Sequence, residues 1–294
     1  MNTQNNSITP CIWLDNEAEE AAEFYSSLFE NSKVDRIIRY GKEGFEYHHK
    51  PEGSVMTVEF ELNGQNFLAL NGGPDFKLNE SASLFVYCET EERINFLYDK
   101  LSEGGSINMP LDKYDWSPKY AWVKDKFGLS WQLDIEAINS PQKIVPTLLF
   151  VNDKYSLVKE AITYYTSIFP DSKILMEYPE KDYLLFGQVK LNGYLLNLLS
   201  GGKMTHNFDF NDALSLIIYC DTQDEINYYW NKLTDGGKEV QCGWLKDKFG
   251  VSWQVVPKIL NELISNPKKS SKTMNAIFGM VKFDIKKLIE AGNE

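Results

Sequence analysis

The chain has 294 residues, of which 43% are hydrophobic and 14% aromatic, which is enough for substantial cores and a length typical of two domains. Its net charge of −12, with scattered Lys and Arg, would repel a phosphate backbone and argues against a nucleic-acid partner. The first fifteen residues lack the basic and apolar regions of a signal peptide, and no run of eighteen apolar residues occurs, so we expect a cytoplasmic location and no membrane partner.

An internal repeat organises the chain. Residues 122–133 (WVKDKFGLSWQL) and 244–255 (WLKDKFGVSWQV) agree at nine of twelve positions. Other matches follow in the same order, such as LFVYCET (84–90) with LIIYCDT (216–222); the largest insertion is SINMPLDKYDWSPKYA, before Trp122. A period of about 125 residues is too long for a solenoid unit and indicates a duplicated domain. We predict domains over 1–138 and 144–257, joined near EAINSPQK.

Each copy begins with a short apolar strand, ITPCIWL or IVPTLLFV, followed by an amphipathic helix. In the first copy Asn16 and Glu19 have the spacing of a capping box at the start of that helix. Three strand-like runs come next, and the LNG between the last two predicts a tight hairpin.

The second half of each copy repeats this order, with a Thr-capped helix that ends at Gly-Gly and a closing hairpin at KDKFG. Each copy is therefore predicted to contain two modules of the order βαβββ. We predict an α+β fold of two tandem domains, in which the two modules of a copy form a curled mixed or antiparallel sheet around one pocket.

Several runs carry a family resemblance that covers essentially the full chain: PCIWLDNEAEEAAEFYSSLF, ALNGGP (69–74), YCET (87–90) and QCGWLKDKFGVSWQVVP (241–257). They resemble the PhnB-like proteins of the vicinal oxygen chelate superfamily, which includes glyoxalase I, bleomycin-resistance proteins and extradiol dioxygenases. The tail resembles that family's C-terminal helical extension, which we place at 258–294. The family's common label, a demethylubiquinone methyltransferase, fits poorly, because no G-x-G-x-G loop follows a first strand as a nucleotide-type cofactor would require.

Enzymes of the superfamily hold a divalent metal with four side chains, and the resemblance assigns those positions here. The first-strand position falls on Pro10 or Pro146, the fourth near Leu68 or Asn197, the fifth on Ser83 or Ser215, and the last on Gln132 or Gln254. Proline has no donor side chain and neutral hydroxyls bind such metals weakly, so only the glutamines keep a usual ligand type. We therefore predict no cofactor and no catalytic metal, with an atypical divalent-metal site as the alternative.

Histidines and cysteines add no catalytic signature. His48 and His49 are predicted in one loop and His206 in another, and neither location recurs in the other copy. Cys88 and Cys220 hold equivalent places and suggest small buried residues. Cys242 could be exposed, with Lys246 as the cation near it in sequence. Without a C-x-x-C spacing, the four cysteines are expected as reduced thiols.

The closing hairpins supply the pocket candidates. Because strand side chains alternate, Gln132 is expected to face the pocket and Trp131 the helix, or the reverse if the alignment is shifted by one residue. The predicted ligand-binding residues are Asn197, Ser215, Gln254, Trp244, Ser83 and Gln132. The second copy has the more polar set, so we expect the working pocket there.

The function that fits this set is binding of a small organic ligand without a catalytic metal. A metal-dependent lyase, isomerase or dioxygenase with atypical ligands is the alternative. No catalytic residue is assigned, and the sequence leaves open whether the chain is an enzyme. We expect either a homodimer or a monomer whose two copies form an intramolecular pseudo-dimer.

Overall fold

The fold is built from four βαβββ modules. A computed structural model describes residues 8–136 and 138–293; residues 1–7, 137 and 294 of the predicted domains and tail lie outside the described residues. Module 1 comprises β1 (Ile8–Leu14), α1 (Ala18–Leu28), β2 (Lys33–Arg39), a short helix α2 (Phe45–His48), β3 (Val55–Leu62) and β4 (Gln65–Asn71). Module 2 comprises β5 (Ala82–Cys88), α3 (Glu91–Ser102), β6 (Ser106–Tyr114), β7 (Ser117–Lys124) and β8 (Ser130–Ile135).

The second copy repeats the modules and adds a helical tail. Module 3 comprises β9 (Ile144–Phe150), a 3₁₀ turn (Asn152–Lys154), α4 (Val158–Ile168), β10 (Lys173–Glu180), β11 (Tyr183–Leu191) and β12 (Tyr194–Ser200). Module 4 comprises β13 (Leu214–Cys220), α5 (Gln223–Leu233), β14 (Lys238–Glu239), β15 (Trp244–Lys246) and β16 (Ser252–Pro257). The tail forms α6 (Ile259–Ser265), α7 (Ser270–Phe278) and α8 (Ile285–Asn293).

The modules form two mixed eight-stranded sheets, which confirms the predicted fold class. Sheet A has the order β14-β15-β16-β13-β1-β4-β3-β2, and sheet B has the order β10-β11-β12-β9-β5-β8-β7-β6. The sequence predicts that the two modules of one copy share a sheet, and this prediction is wrong. Module 1 shares a sheet with module 4, and module 2 shares a sheet with module 3. The modules of each sheet join through one antiparallel strand pair, β1 with β13 in sheet A and β5 with β9 in sheet B. They are buried on both faces nearly throughout, as strands at the centre of a covered sheet should be.

The helices bury the apolar faces that the sequence predicts, but one predicted N-terminal cap is wrong. Helix α1 begins after Glu17 without a side-chain cap, so Asn16 and Glu19 form no capping box. The first-turn amide of Ala18 instead donates to Asn71 Oδ1 at 2.8 Å. The predicted threonine caps are confirmed for both second-half helices, and α5 has a complete capping box. The hairpins at LNG are also confirmed, since both asparagine–glycine pairs adopt the positive φ angles of such turns.

The C-terminal helices cover one face of sheet A. We call the face of each sheet opposite its module helices the inner face. Arg36 of β2 donates to Ser265 Oγ at the end of α6 at 3.0 Å, and the backbone amides of Cys242 and Gly243 donate to Met280 and Val281 at 2.8 Å each. The tail residues Leu263, Phe283 and Leu288 are at most 2% exposed. The extension therefore packs as part of the core. No helix in the described part of the chain is both long and apolar enough to span a bilayer.

Candidate functional site

The six predicted ligand-binding residues do not share one pocket. Ser215, Trp244 and Gln254 lie in sheet A, whereas the other three, Ser83, Gln132 and Asn197, lie in sheet B. The expected trio of Asn197, Ser215 and Gln254 is therefore divided between the sheets. The physical reason is the exchange of modules: β12, which carries Asn197, joins β9 and β5, while β13 and β16 join β1.

In sheet A the polar pair lies beside a thiol. Gln254 Nε2 donates to Ser215 Oγ at 2.9 Å, and Cys11 is paired across the strands with Ser215. Burial raises the pKa of the Cys11 thiol to about 12, so it stays protonated. Trp244 packs edge-on against Trp13 with ring centroids 6.0 Å apart. These groups lie on the face that the C-terminal extension covers.

In sheet B the equivalent pair also bonds a tyrosine, and a second hydrogen-bonded group lies beside it. Gln132 Nε2 donates to Ser83 Oγ at 2.9 Å, and Tyr120 Oη donates to Gln132 Oε1 at 2.7 Å. Asn197 Nδ2 donates to Thr147 Oγ1 at 3.3 Å and to Tyr87 Oη at 3.4 Å. Gln132 therefore faces inward, as predicted.

The first-strand positions of the predicted metal site are shifted by one residue. The cross-strand pairs are Cys11 with Ser215 in sheet A and Thr147 with Ser83 in sheet B. Because side chains alternate along a strand, Pro10 and the equivalent Pro146 face away from the polar pairs. The inner-face quartets are Cys11, Leu68, Ser215 and Gln254 in sheet A, and Thr147, Asn197, Ser83 and Gln132 in sheet B.

Neither quartet fits a divalent metal. The sheet B quartet offers only neutral hydroxyl and amide groups, and its hydroxyl oxygens already accept from the Gln132 and Asn197 amide nitrogens. The sheet A quartet contains a leucine and a protonated thiol. Such metals prefer imidazole, carboxylate or thiolate donors. Among the described residues no group of three or more His, Cys, Asp or Glu side chains is placed to hold an ion.

We call the sheet B quartet of Thr147, Asn197, Ser83 and Gln132 the polar floor. Aromatic side chains surround it. A small apolar cluster separate from the main core lies there, formed by Phe85, Tyr87, Tyr120, Val145 and Leu195, with Met109, Tyr114, Trp122 and Ile138 packed against it. Sequence reasoning missed Tyr87 and Tyr120 as site residues. The signal was present in the long insertion before Trp122, which extends β6 and β7 into a hairpin that brings Tyr114 and Tyr120 together, with ring centroids 5.7 Å apart.

Comparison with known proteins identifies the family. A family model described as 3-demethylubiquinone-9 3-methyltransferase matches residues 6–134 and 142–256, one match per copy. The chain belongs to this PhnB-like family. Among solved structures, a PhnB protein from Bacillus cereus is 40% identical over 44% of this chain and 98% of its own, with a TM-score of 0.40. Glyoxalase I from Zea mays is 12% identical over 89% of this chain and 97% of its own, with a TM-score of 0.58. No curated protein matches.

The similarity to glyoxalase I shows that this PhnB-like chain has the vicinal oxygen chelate fold in its tandem form. At 12% identity it says nothing of chemistry. The predicted family and fold class are thereby confirmed.

The cysteine and histidine side chains of the PhnB-like chain pack against neighbouring elements. Cys88 and Cys220 are 1% exposed each, which confirms their predicted burial. The Cys242 thiol lies 3.6 Å from the Ile277 carbonyl beneath α7, and burial raises its pKa to about 11. Cys242 is therefore only partly exposed, whereas the other three cysteines are buried. His48 is not in a loop but ends helix α2, where its ring packs 4.3 Å from that of Tyr40.

A cavity of about 470 Å³ lies elsewhere, between β2 and the helices α6 and α7. None of the six predicted residues lines it. The Arg36 guanidinium in its wall already bonds Glu59 at 2.6 Å and Ser265 at 3.0 Å. We regard this cavity as the gap left where the tail meets the edge of sheet A.

Proposed function

We propose that this PhnB-like protein binds one small organic ligand on the inner face of sheet B, without a catalytic metal. One observation supports this site: of two equivalent inner faces, that of sheet A is covered by the C-terminal extension, whereas that of sheet B carries a polar floor and aromatic walls. A largely apolar lining with a few fixed polar groups is typical of small-molecule binding.

The hydrogen-bond network indicates how a ligand would be oriented. The Ser83 hydroxyl accepts from Gln132, and the Tyr87 hydroxyl accepts from Gln188 at 2.9 Å. Each hydroxyl also has a hydrogen that it donates to no acceptor among the described residues. A ligand with hydrogen-bond acceptors would thus find donors held in place by neighbouring amides, which lowers the cost of ordering them on binding.

The family description names a methyl transfer, for which we assign no residue. A nucleotide-type methyl donor normally lies against a glycine-rich loop that follows a parallel strand of an α/β unit. The modules of this chain have the order βαβββ and do not form such a unit. We therefore expect S-adenosylmethionine to leave the melting temperature unchanged.

The two equivalent glutamines provide a matched test. A thermal-shift screen against a metabolite and drug library should yield stabilising compounds for the wild type and for Gln254→Leu, whereas Gln132→Leu should lose most of the shift. Loss of the shift in Gln254→Leu instead would place the ligand in sheet A and contradict the site. A screen without any stabilising compound would contradict the binding function. Stoichiometric metal in protein purified without chelator would overturn the metal-free part of the proposal.

A further inference from the structure

A carboxylate lies between two tyrosines on the inner face of sheet B. Strand β8 is flanked by β5 and β7, and the register places Asp134 beside Tyr87 on one side and Tyr120 on the other. Asp134 is two residues from Gln132 on the same strand, so both side chains point to the inner face. The three residues therefore form a row of phenol, carboxylate and phenol across the sheet.

This carboxylate is buried without a cation. Asp134 is 8% exposed, and its side chain accepts a hydrogen bond from the Ser117 hydroxyl. No ion pair reaches it within residues 8–136 and 138–293. Lys119, on β7, pairs with Glu91 at 2.8 Å, and Lys143, ahead of β9, pairs with Glu89 at 2.7 Å. A buried charge without a partner costs free energy, and one hydroxyl compensates for only part of that cost.

The surrounding rings suit a positive charge. Phe85 and Tyr87 lie with ring centroids 4.7 Å apart, and Trp116 at the hairpin tip stacks on Tyr114 at 5.0 Å and meets Tyr120 at 5.8 Å. Trp116 is 64% exposed, and Phe85, Tyr87 and Tyr120 keep 4–7% of their surface accessible, so the cluster reaches solvent at this tip. The faces of such rings attract cations, and the attraction increases as the site loses water.

The other sheet lacks this arrangement. The repeat aligns WQLD (131–134) with WQVV (253–256), so the counterpart of Asp134 is Val256. The counterpart of Tyr120 is Cys242. The floor glutamine and serine occur in both sheets, whereas at this position the carboxylate of sheet B is replaced by a valine in sheet A.

We propose that the ligand of sheet B is a small organic cation, a substituted or quaternary ammonium, whose charge lies between Tyr87 and Tyr120 against Asp134. This inference rests on the proposed function and names the class of its ligand. The cation supplies the missing partner of the carboxylate, and its alkyl groups contact the rings. The chain's net charge of −12 also favours the approach of a cation.

Asp134 also has a structural role, since its bond with Ser117 fixes the start of β7. Asp134→Asn separates the two roles. An asparagine keeps an oxygen that accepts from Ser117, so the hairpin stays in place while the negative charge is lost.

The experiment compares choline with its uncharged carbon isostere, 3,3-dimethylbutan-1-ol, by calorimetric titration of the full chain. The wild type should bind choline about tenfold more tightly than the isostere. Asp134→Asn should lower choline affinity about tenfold and leave the isostere unchanged. Glu103→Gln, which removes an exposed carboxylate, should change neither. Far-ultraviolet circular dichroism and melting temperature verify that Asp134→Asn is folded.

Equal binding of choline and the isostere, or equal choline binding by the wild type and Asp134→Asn, would overturn the cation inference. So would the absence of saturable binding of choline, tetramethylammonium and benzyltrimethylammonium to the wild type. If uncharged or anionic compounds still stabilise the protein in a manner that depends on Gln132, only the ligand class is refuted. If no compound of any charge binds, the proposed function fails as well.

Discussion

The Tyr25 hydroxyl on α1 donates a hydrogen bond of 2.8 Å to Asp125 in the closing hairpin of module 2. Trp131 Nε1 donates to the same carboxylate oxygen at 2.8 Å, and the other oxygen accepts from the amides of Phe127 and Leu129 at 2.9 and 3.0 Å. One buried aspartate thus closes a turn, holds a tryptophan and ties module 1 to module 2.

The second copy reproduces this arrangement around Asp247. Tyr165, Trp253 and the amides of Phe249 and Val251 donate to it at 2.8 to 3.1 Å. The repeated WxKDKFGxSWQ segment therefore packs the modules of a copy together, while its glutamine and its first tryptophan reach the inner face.

We expect Tyr165→Phe to lower the free energy of unfolding by about 1–3 kcal/mol, because a fully buried carboxylate loses one of its four donors. Tyr164→Phe is the matched control: its neighbouring hydroxyl donates to the Lys232 carbonyl in an exposed bond, so its loss should cost less than about 1 kcal/mol. Urea titration of both variants measures the difference. Equal losses in the two variants would show that the Tyr165 bond to Asp247 adds nothing to packing.

The same carboxylate should make stability depend on pH. Burial is the main cause that raises the pKa of Asp247 from 3.8 to about 6. Between these two values the folded state holds a proton that the unfolded state has released. The protonated Asp247 carboxyl therefore adds to the free energy of unfolding, fully below pH 3.8, and this stabilisation is lost as the pH rises through about 6.

The wild type should accordingly lose about 1–3 kcal/mol of unfolding free energy between pH 4 and pH 7 relative to Asp247→Asn, which cannot titrate. Urea titrations at several pH values measure the difference between the two proteins. Asp221→Asn, which alters an exposed ion pair with Lys258, serves as the charge control. A difference between wild type and Asp247→Asn that does not change with pH would refute the linkage.

The sequence could predict the modules because their signals are local or repeated. The helix faces and the LNG turns follow from periodicity and turn chemistry, and the inward orientation of Gln132 follows from the position that the family resemblance assigns to it. The joining of β1 to β13 could not be predicted, since both module pairings bury the same apolar strands and the choice depends on contacts far apart in sequence. For the same reason the sequence groups Asn197 with Ser215 and Gln254, although it lies in the same sheet as Ser83 and Gln132. Only the strand register shows that Thr147, and not Pro146, faces inward.

The C-terminal extension should protect Cys242. Phe283 is 2% exposed and packs so closely on Gly243 that a Cβ there would lie 2.4 Å from its ring. Phe283→Ala leaves a cavity and should destabilise the packed tail by about 3–5 kcal/mol. We expect faster reaction of Cys242 with a thiol reagent, compared with Val281→Ala, where the altered side chain is 41% exposed. Adding Cys242→Ser to Phe283→Ala should abolish the extra reactivity; an unchanged rate in Phe283→Ala would mean that the tail does not control access.

The residues that follow the two LNG turns differ in how their polar atoms are satisfied. Gln65 Nε2 donates to the Ile144 carbonyl at 2.8 Å, and its Oε1 accepts from the Ile144 amide at 3.0 Å, which links β4 of sheet A to β9 of sheet B. Tyr194 holds the equivalent place in the second copy, and its buried hydroxyl has no hydrogen-bond partner within the described ranges.

We therefore expect opposite outcomes at these equivalent positions. Gln65→Leu should lower the free energy of unfolding by about 1–3 kcal/mol, because it leaves a buried amide and carbonyl without their partner. Tyr194→Phe should leave it unchanged or raise it by up to about 2 kcal/mol, because it removes a buried hydroxyl that gains nothing in the folded state. Parallel urea titrations of the two variants decide the point. A loss above about 1 kcal/mol in Tyr194→Phe would show that this hydroxyl has a favourable partner after all.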